Sequence, residues 1–205
     1  RVSAFREAPA SPTSENNQNF VVEVSDINKP WKIQSVDGWW NNKNLTINAS
    51  GSMAVSPSSV LSGHLNSFIL SNTSEGHGLY LDESPDISLD ISASVVSISA
   101  GRHALFSGAS SLNTTHDVKI RDFDSLSISG GTTGSGSGVI ANLHGSIELI
   151  GNANSTISIS SDLQSYDHDA AVSNKTSYDE TAGSASIIKL SLIHISEPTR
   201  RRGIS

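Results

Sequence analysis

Cysteine is absent from the 205 residues, which excludes a disulfide framework, a thiolate metal site and a cysteine nucleophile. Aromatic residues make up only 5% of the chain and hydrophobic residues 36%. Globular cores of this length draw on more apolar side chains, so whatever this protein buries must be thin. No run of about eighteen apolar residues occurs, so no membrane-spanning helix is predicted, and apolar residues nowhere keep helical spacing over any length. Positive charge is also short: 13 Lys and Arg stand against 20 Asp and Glu, a formal charge of −7. An acidic surface repels phosphate backbones, which excludes nucleic acid and anionic lipid as partners.

What is present is a repeat. Ile87-SLDISASVVSIS, Val118-KIRDFDSLSIS and Ile147-ELIGNANSTISIS each hold a pair of short runs that alternate apolar and polar residues. Alternation with period two marks strands with one buried face, and recurrence every twenty to fifty residues marks a solenoid of stacked coils. A third apolar segment follows at a variable distance, in Ala104-LFS, Gly138-VIA and Ala171-VSN. The predicted fold is therefore all-β, a right-handed, three-sided parallel β-helix with three short apolar segments per coil.

Its inward positions are Ile87, Leu89, Val96, Ile98 and Leu105 in one coil, then Val118, Ile120, Leu126, Ile128 and Val139, then Ile147, Leu149, Ile157, Ile159 and Val172. Such residues would stack in columns about 4.8 Å apart, since no coil can bury its apolar side alone. Leu45-TINASGSMAVS reads as an earlier coil and Ser186-IIK as the start of a later one. Residues 60 to 85 read as a coil with an excursion. The 41 Ser and 11 Thr fit corners and outward faces, where hydroxyls satisfy turn amides.

Four parts are expected. Residues 1–19 are mixed polar, with no apolar periodicity, and read as an extended or disordered lead-in. Residues 20–44 read as N-terminal cap strands, because an open solenoid end invites edge-to-edge association unless covered. Residues 45–189 hold the coils. Trp31, Trp39 and Trp40 lie just before the first coil; they either seal the core end, the preferred reading, or stack on the face of a sugar ligand. The chain starts at Arg1 without a charged-then-apolar leader, so any export signal is expected upstream.

The fourth part, residues 190–205, resembles the translation of a sequencing adapter, LSLIHISEPTR followed by index-length codons and a resumed Ile-Ser, and is expected to be an artefact. It holds three Arg and one Glu, so without it the formal charge is −9.

The runs LTINASGSMAVS, ISLDISASVVSISAGRHALFSG and GVIANLHGSIELIGNANSTISIS resemble the passenger domains of bacterial type V autotransporters, of the pertactin-like and adhesin kinds. The resemblance covers residues 20–189 and rests on repeat texture, Ser/Asn/Gly turns, acidity and absence of cysteine. It implies a secreted or surface-displayed passenger at the outer membrane or outside the cell, acting as an adhesin or stalk. Its own C-terminal β-barrel is expected downstream, and the partner would be a host surface, matrix or glycan ligand.

Contacts are expected from the loops at 60–85, 130–137 and 164–169, which vary in length where the columns do not. No enzyme activity, cofactor or metal is expected. The alternative is a polysaccharide lyase or hydrolase in which Asp122 and Asp124, alternate residues of one strand, share a face roughly 7 Å apart for acid/base work or weak cation binding. Asp167, His168 and Asp169 form a further acidic and imidazole triplet between coils, read as solvated, as is His116-Asp117. The Gly130-GTTGSGSG stretch lacks the aspartates of calcium repeats and the Lys of a phosphate loop, and reads as a flexible loop.

Overall fold

Period-two alternation, with Ser, Gly and Asn between the runs, leaves each segment one apolar face and no way to bury it locally. The chain solves this by stacking segments in parallel. The computed structural model describes residues 2–3, 18–25, 31–33, 37–55, 59–81, 87–108, 116–132, 136–141, 145–160, 163–165 and 170–181. These form β1 (Val2–Ser3), β2 (Asn19–Val24), β3 (Asn44–Ala49), β4 (Met53–Val55), β5 (His64–Asn72), β6 (His77–Leu81) and β7 (Ile87–Ala100). Then follow β8 (Leu105–Ser107), β9 (His116–Ser129), β10 (Val139–Ala141), β11 (Gly145–Ser160), β12 (Leu163–Ser165) and β13 (Ala170–Thr181). No helix occurs among the described residues.

Two parallel sheets result. The larger has the order β1-β2-β3-β5-β7-β9-β11-β13 and the smaller β12-β10-β8-β6-β4. From β3 onward successive strands alternate between them, so that each coil passes through both sheets and the protein is a parallel β-helix. In the larger sheet, one inward column runs Phe20, Leu45, Phe68, Val96, Leu126, Ile157, and its neighbour Val22, Ile47, Leu70, Ile98, Ile128, Ile159. The smaller sheet contributes Trp31, Val55, Leu79, Leu105 and Val139, with Leu163 next in backbone register. From Leu45 to Ile159 the members of the first two columns are at most 2% exposed.

The outward columns carry the hydroxyls. Ser97, Ser127 and Ser158 stand opposite one another, as do Ser99, Ser129 and Ser160. Asn side chains extend the ladder outside the backbone: Asn44 donates to Asn19 Oδ1 at 2.8 Å and Ser67 donates to Asn44 Oδ1 at 2.9 Å.

Three expectations need correction. The first run of the Ile87 coil is two residues out of place: Leu89 stands opposite Val118, and Ile91, not Leu89, stands opposite Ile120 and Leu149. A two-residue slip keeps every side chain on its own face, so alternation cannot detect it. The third segment of the last coil is Leu163–Ser165, opposite Val139–Ala141, whereas Val172 pairs with Leu149 in the larger sheet. Of the stretch 60–85, residues 82–85 lie outside the described residues and residues 60–81 form no excursion. They build an ordinary coil, β5 and β6, in which Phe68 and Leu70 point inward while Ile69, 37% exposed, sits on the outer face and hides the alternation.

The N-terminal end is covered by strand and rings together. β2 continues the sheet with the same register, and Val2–Ser3 of the lead-in pair with Val22 and Glu23. Residues 4–17 of the lead-in and residues 182–205, with the Ser186 run and the adapter-like tail, lie outside the described residues.

Neighbouring residues in β9 test the inward assignment. Ile128→Ala should lower stability by about 2–5 kcal/mol, through lost transfer energy plus a cavity. Ser127→Ala, next to it and exposed, should stay within about 0.5 kcal/mol. Denaturant titration followed by circular dichroism reads both; equal effects would contradict the inward column.

Candidate functional site

The first candidates were the tryptophans, and the fold buries all three. Trp31 is 5% exposed, Trp39 8% and Trp40 1%. Trp31 heads the inward column of the smaller sheet, bridged to Val55. Trp39 and Trp40 lie on the turn into β3, where their rings meet edge to face at 4.4 Å and enclose Phe20 at 5.1 and 5.4 Å. Lys43 Nζ lies 5.0 Å from the Trp39 ring centre. Rings covered to this degree leave no face for a sugar, so the sugar-stacking alternative gives way to the cap reading.

Asp122 and Asp124 occupy a corner, not a flat strand. Asp122 has φ of 62°, in the left-handed region that Asp tolerates better than most residues. The pairing of β11 with β9 slips at the same place, as does that of β7 with β9. The two carboxylates are drawn toward opposite neighbours. Asp122 Oδ2 accepts from Ser92 Oγ at 2.7 Å and from Arg121, on the side of the preceding coil. Asp124 Oδ1 accepts from Asn152 Nδ2 at 2.8 Å, on the side of the following one.

Further partners complete the corner. Arg121 Nε also donates to both oxygens of Asp90, at 2.9 and 3.2 Å, and His64 bonds Ser92 and Ser94 through its two ring nitrogens, at 2.8 and 3.0 Å. Every distance here joins one coil to the next, so the corner ties the stack where the backbone ladder is interrupted. The paired-carboxylate arrangement that an acid/base mechanism needs is replaced by two carboxylates held by separate partners.

Asp167, His168 and Asp169 lie outside the described residues. His116, expected to be solvated, is fully buried. Its Nδ1 faces the Gly108 carbonyl and so donates to it, while Nε2 has no partner among the described residues. Among the described residues no group of three His, Asp or Glu side chains is placed to hold a metal ion. The loop at 130–137 is anchored at both ends: Gly131 and Thr132 donate to the Arg102 and Ala100 carbonyls, and Ser137 accepts from Ala104.

One cluster was not anticipated. On the outer side of the smaller sheet, His77 stacks on Tyr80 with ring centres 4.1 Å apart and on His103 at 5.1 Å, and Tyr80 stacks on Phe106 at 4.4 Å. Leu79 pairs with Leu105 and Tyr80 with Phe106, which brings rings on successive coils together. The sequence signal was present as two short stretches, HGLY and HALF, each a His two residues before an inward Leu and three before an outward ring.

The stack is electrically distinctive. Burial, then the neighbouring His103 and Arg102, hold His77 down to a pKa of about 4, and burial with Arg102 lowers that of His103. Unfolding releases His77 to its ordinary value of 6.5, so between these values the unfolded chain binds a proton that the fold excludes. This contribution to stability is complete above about pH 6.5 and is lost as pH falls toward 4. The melting temperature should therefore decline over that window. His77→Phe, which keeps a ring and cannot titrate, should flatten the decline; identical slopes in scanning calorimetry would refute it. None of the family models, curated proteins or solved structures compared with this chain matches it.

Proposed function

We propose that this chain is part of a surface-displayed autotransporter passenger, a stiff stalk that carries adhesive surfaces away from the cell. The observation that carries this reading is the continuous series of parallel strand pairings from β2 to β13 in the larger sheet, interrupted only by local register shifts at the corner. A column of this kind extends along one axis, and its stiffness comes from backbone bonds that each coil shares with its neighbours. The absence of cysteine suits a chain threaded unfolded through a membrane pore, and hydroxyl-rich outward columns suit permanent exposure to water.

Binding is favoured over polysaccharide cleavage. Cleavage would call on Asp122 and Asp124, whose oxygens are engaged by Ser92, Arg121 and Asn152. Partners of the stalk would be host surface, matrix or glycan, met at corners and loops between coils.

The test uses cells carrying the gene that encodes this chain. Protease added to intact cells should remove this segment, and deletion of the downstream barrel should retain the segment inside the cell. A gene without a downstream barrel of alternating strands, or a segment shielded from protease on intact cells, would overturn the proposal.

A further inference from the structure

The ring stack on the smaller sheet presents hydrogen-bond donors to water with no acceptor beside them. The His103 N–H donates to His77 Nδ1 at 3.3 Å, and the Ser137 N–H donates to His103 Nδ1 at 3.2 Å. A neutral imidazole whose Nδ1 accepts carries its proton on Nε2. Both imidazoles are neutral at pH 7, for the reasons of burial and neighbouring charge given above. Neither Nε2 is buried and neither has a partner among the described residues. Two N–H donors on successive coils thus face outward, their rings 5.1 Å apart and 11° from parallel.

Arg102 lies between them in sequence and is exposed. Its charge is felt at both rings, yet it joins none of the ion pairs found among the described residues, which link Lys119 to Glu148 and Arg121 to Asp90 and Asp122. Glu75, exposed on the turn before His77, also joins none of them. Lys32 and Lys43 likewise join none of them, and what sets Arg102 apart is its place beside the two imidazoles. Its backbone is held in place: Arg102 N donates to Gly76 and Gly131 donates back to Arg102. A Cβ on Gly136 would lie 2.4 Å from that backbone, so only glycine lets the following loop close over it.

We propose that His77, Arg102 and His103 form a binding site for an oxyanion carried on a sugar, the carboxylate of a uronic acid or the sulfate of a sulfated glycan. The guanidinium supplies charge and a planar pair of donors, which suits either anion. The two Nε2–H groups supply neutral donors at fixed spacing. The inference names a ligand for the adhesive reading above. Its test uses the purified chain alone, so failure here leaves surface display untouched.

Calorimetric titration at pH 7 and low salt would compare oligogalacturonate, a sulfated galactan oligomer and a neutral galactan oligomer of equal length. Binding of either charged oligomer without the neutral one supports the site, and the tighter of the two assigns its anion. Arg102→Ala should weaken that binding by about tenfold, the scale of one charged hydrogen bond. His77→Phe with His103→Phe should weaken it several-fold, whereas Lys119→Ala, on another face, should leave it unchanged. Arg102 is exposed, so an unaltered circular dichroism melt of Arg102→Ala would separate lost binding from lost fold. Equal binding of the neutral oligomer, or no effect of Arg102→Ala, would overturn the proposal.

Discussion

Parallel pairing of each coil with the next, residue opposite residue, is the constraint from which the rest of this protein follows. It sets a column spacing of about 4.8 Å and forces every column to be chemically uniform or complementary. Inward columns become apolar because an apolar side chain can be covered only by its equivalents above and below. Outward columns face the same rule with charges. Like charges one coil apart would repel by about 3 kcal/mol at an effective dielectric constant near 20, and the column through Asp90, Lys119 and Glu148 alternates in sign. The exposed ion pair between Lys119 and Glu148, at 3.3 Å, adds little by itself; its value lies in the repulsion that alternation avoids.

Corners are where that constraint relaxes, and polar side chains take over there. At the bulge in β9 and β11, Asp122 and Asn154 adopt left-handed backbone, with φ of 62° and 69°. His64, Ser92 and Asp122, on three successive coils, replace missing backbone bonds with side-chain bonds. At another corner Asn72, 1% exposed, donates to the carbonyls of Gly51 and His77 and accepts from Ser74. A buried amide of this kind costs nothing only when its bonding capacity is met. The carboxylates that looked like candidate chemistry are used in the same way, as inter-coil ties.

The architecture was legible because alternation and a thirty-residue recurrence both report burial, and burial is what drives the stack. Val96, Leu126 and Ile157 could be aligned by eye, and they do share a column. The limits of legibility are just as physical. A period of two leaves slips of two invisible, so Leu89 was matched with Ile120 instead of Val118. An apolar residue on an outer face, Ile69, made a regular coil look irregular. His116 is polar in sequence and buried in the fold, because its ring nitrogen can reach a carbonyl of the loop it packs against. Asp122 and Asp124 were legible as neighbours, but their left-handed corner was not, since no local pattern announces a single residue at positive φ.

The His-ring cluster escaped for a different reason, which bears on where a β-helix can acquire function. Pattern reading follows what repeats in every coil, and the column Met53, His77, His103, Ser137 repeats only twice before it changes kind. Where a column keeps one kind of residue, its side chains satisfy one another and present water with a uniform surface. Where it changes, the last member has no equivalent above it. At His103 the next coil offers only a serine amide, which takes up Nδ1 and leaves Nε2–H directed outward. Specific recognition needs a local departure from uniformity held on a rigid frame, and a stacked column supplies both. The sites to seek in such a protein are the few coils at which the columns stop matching.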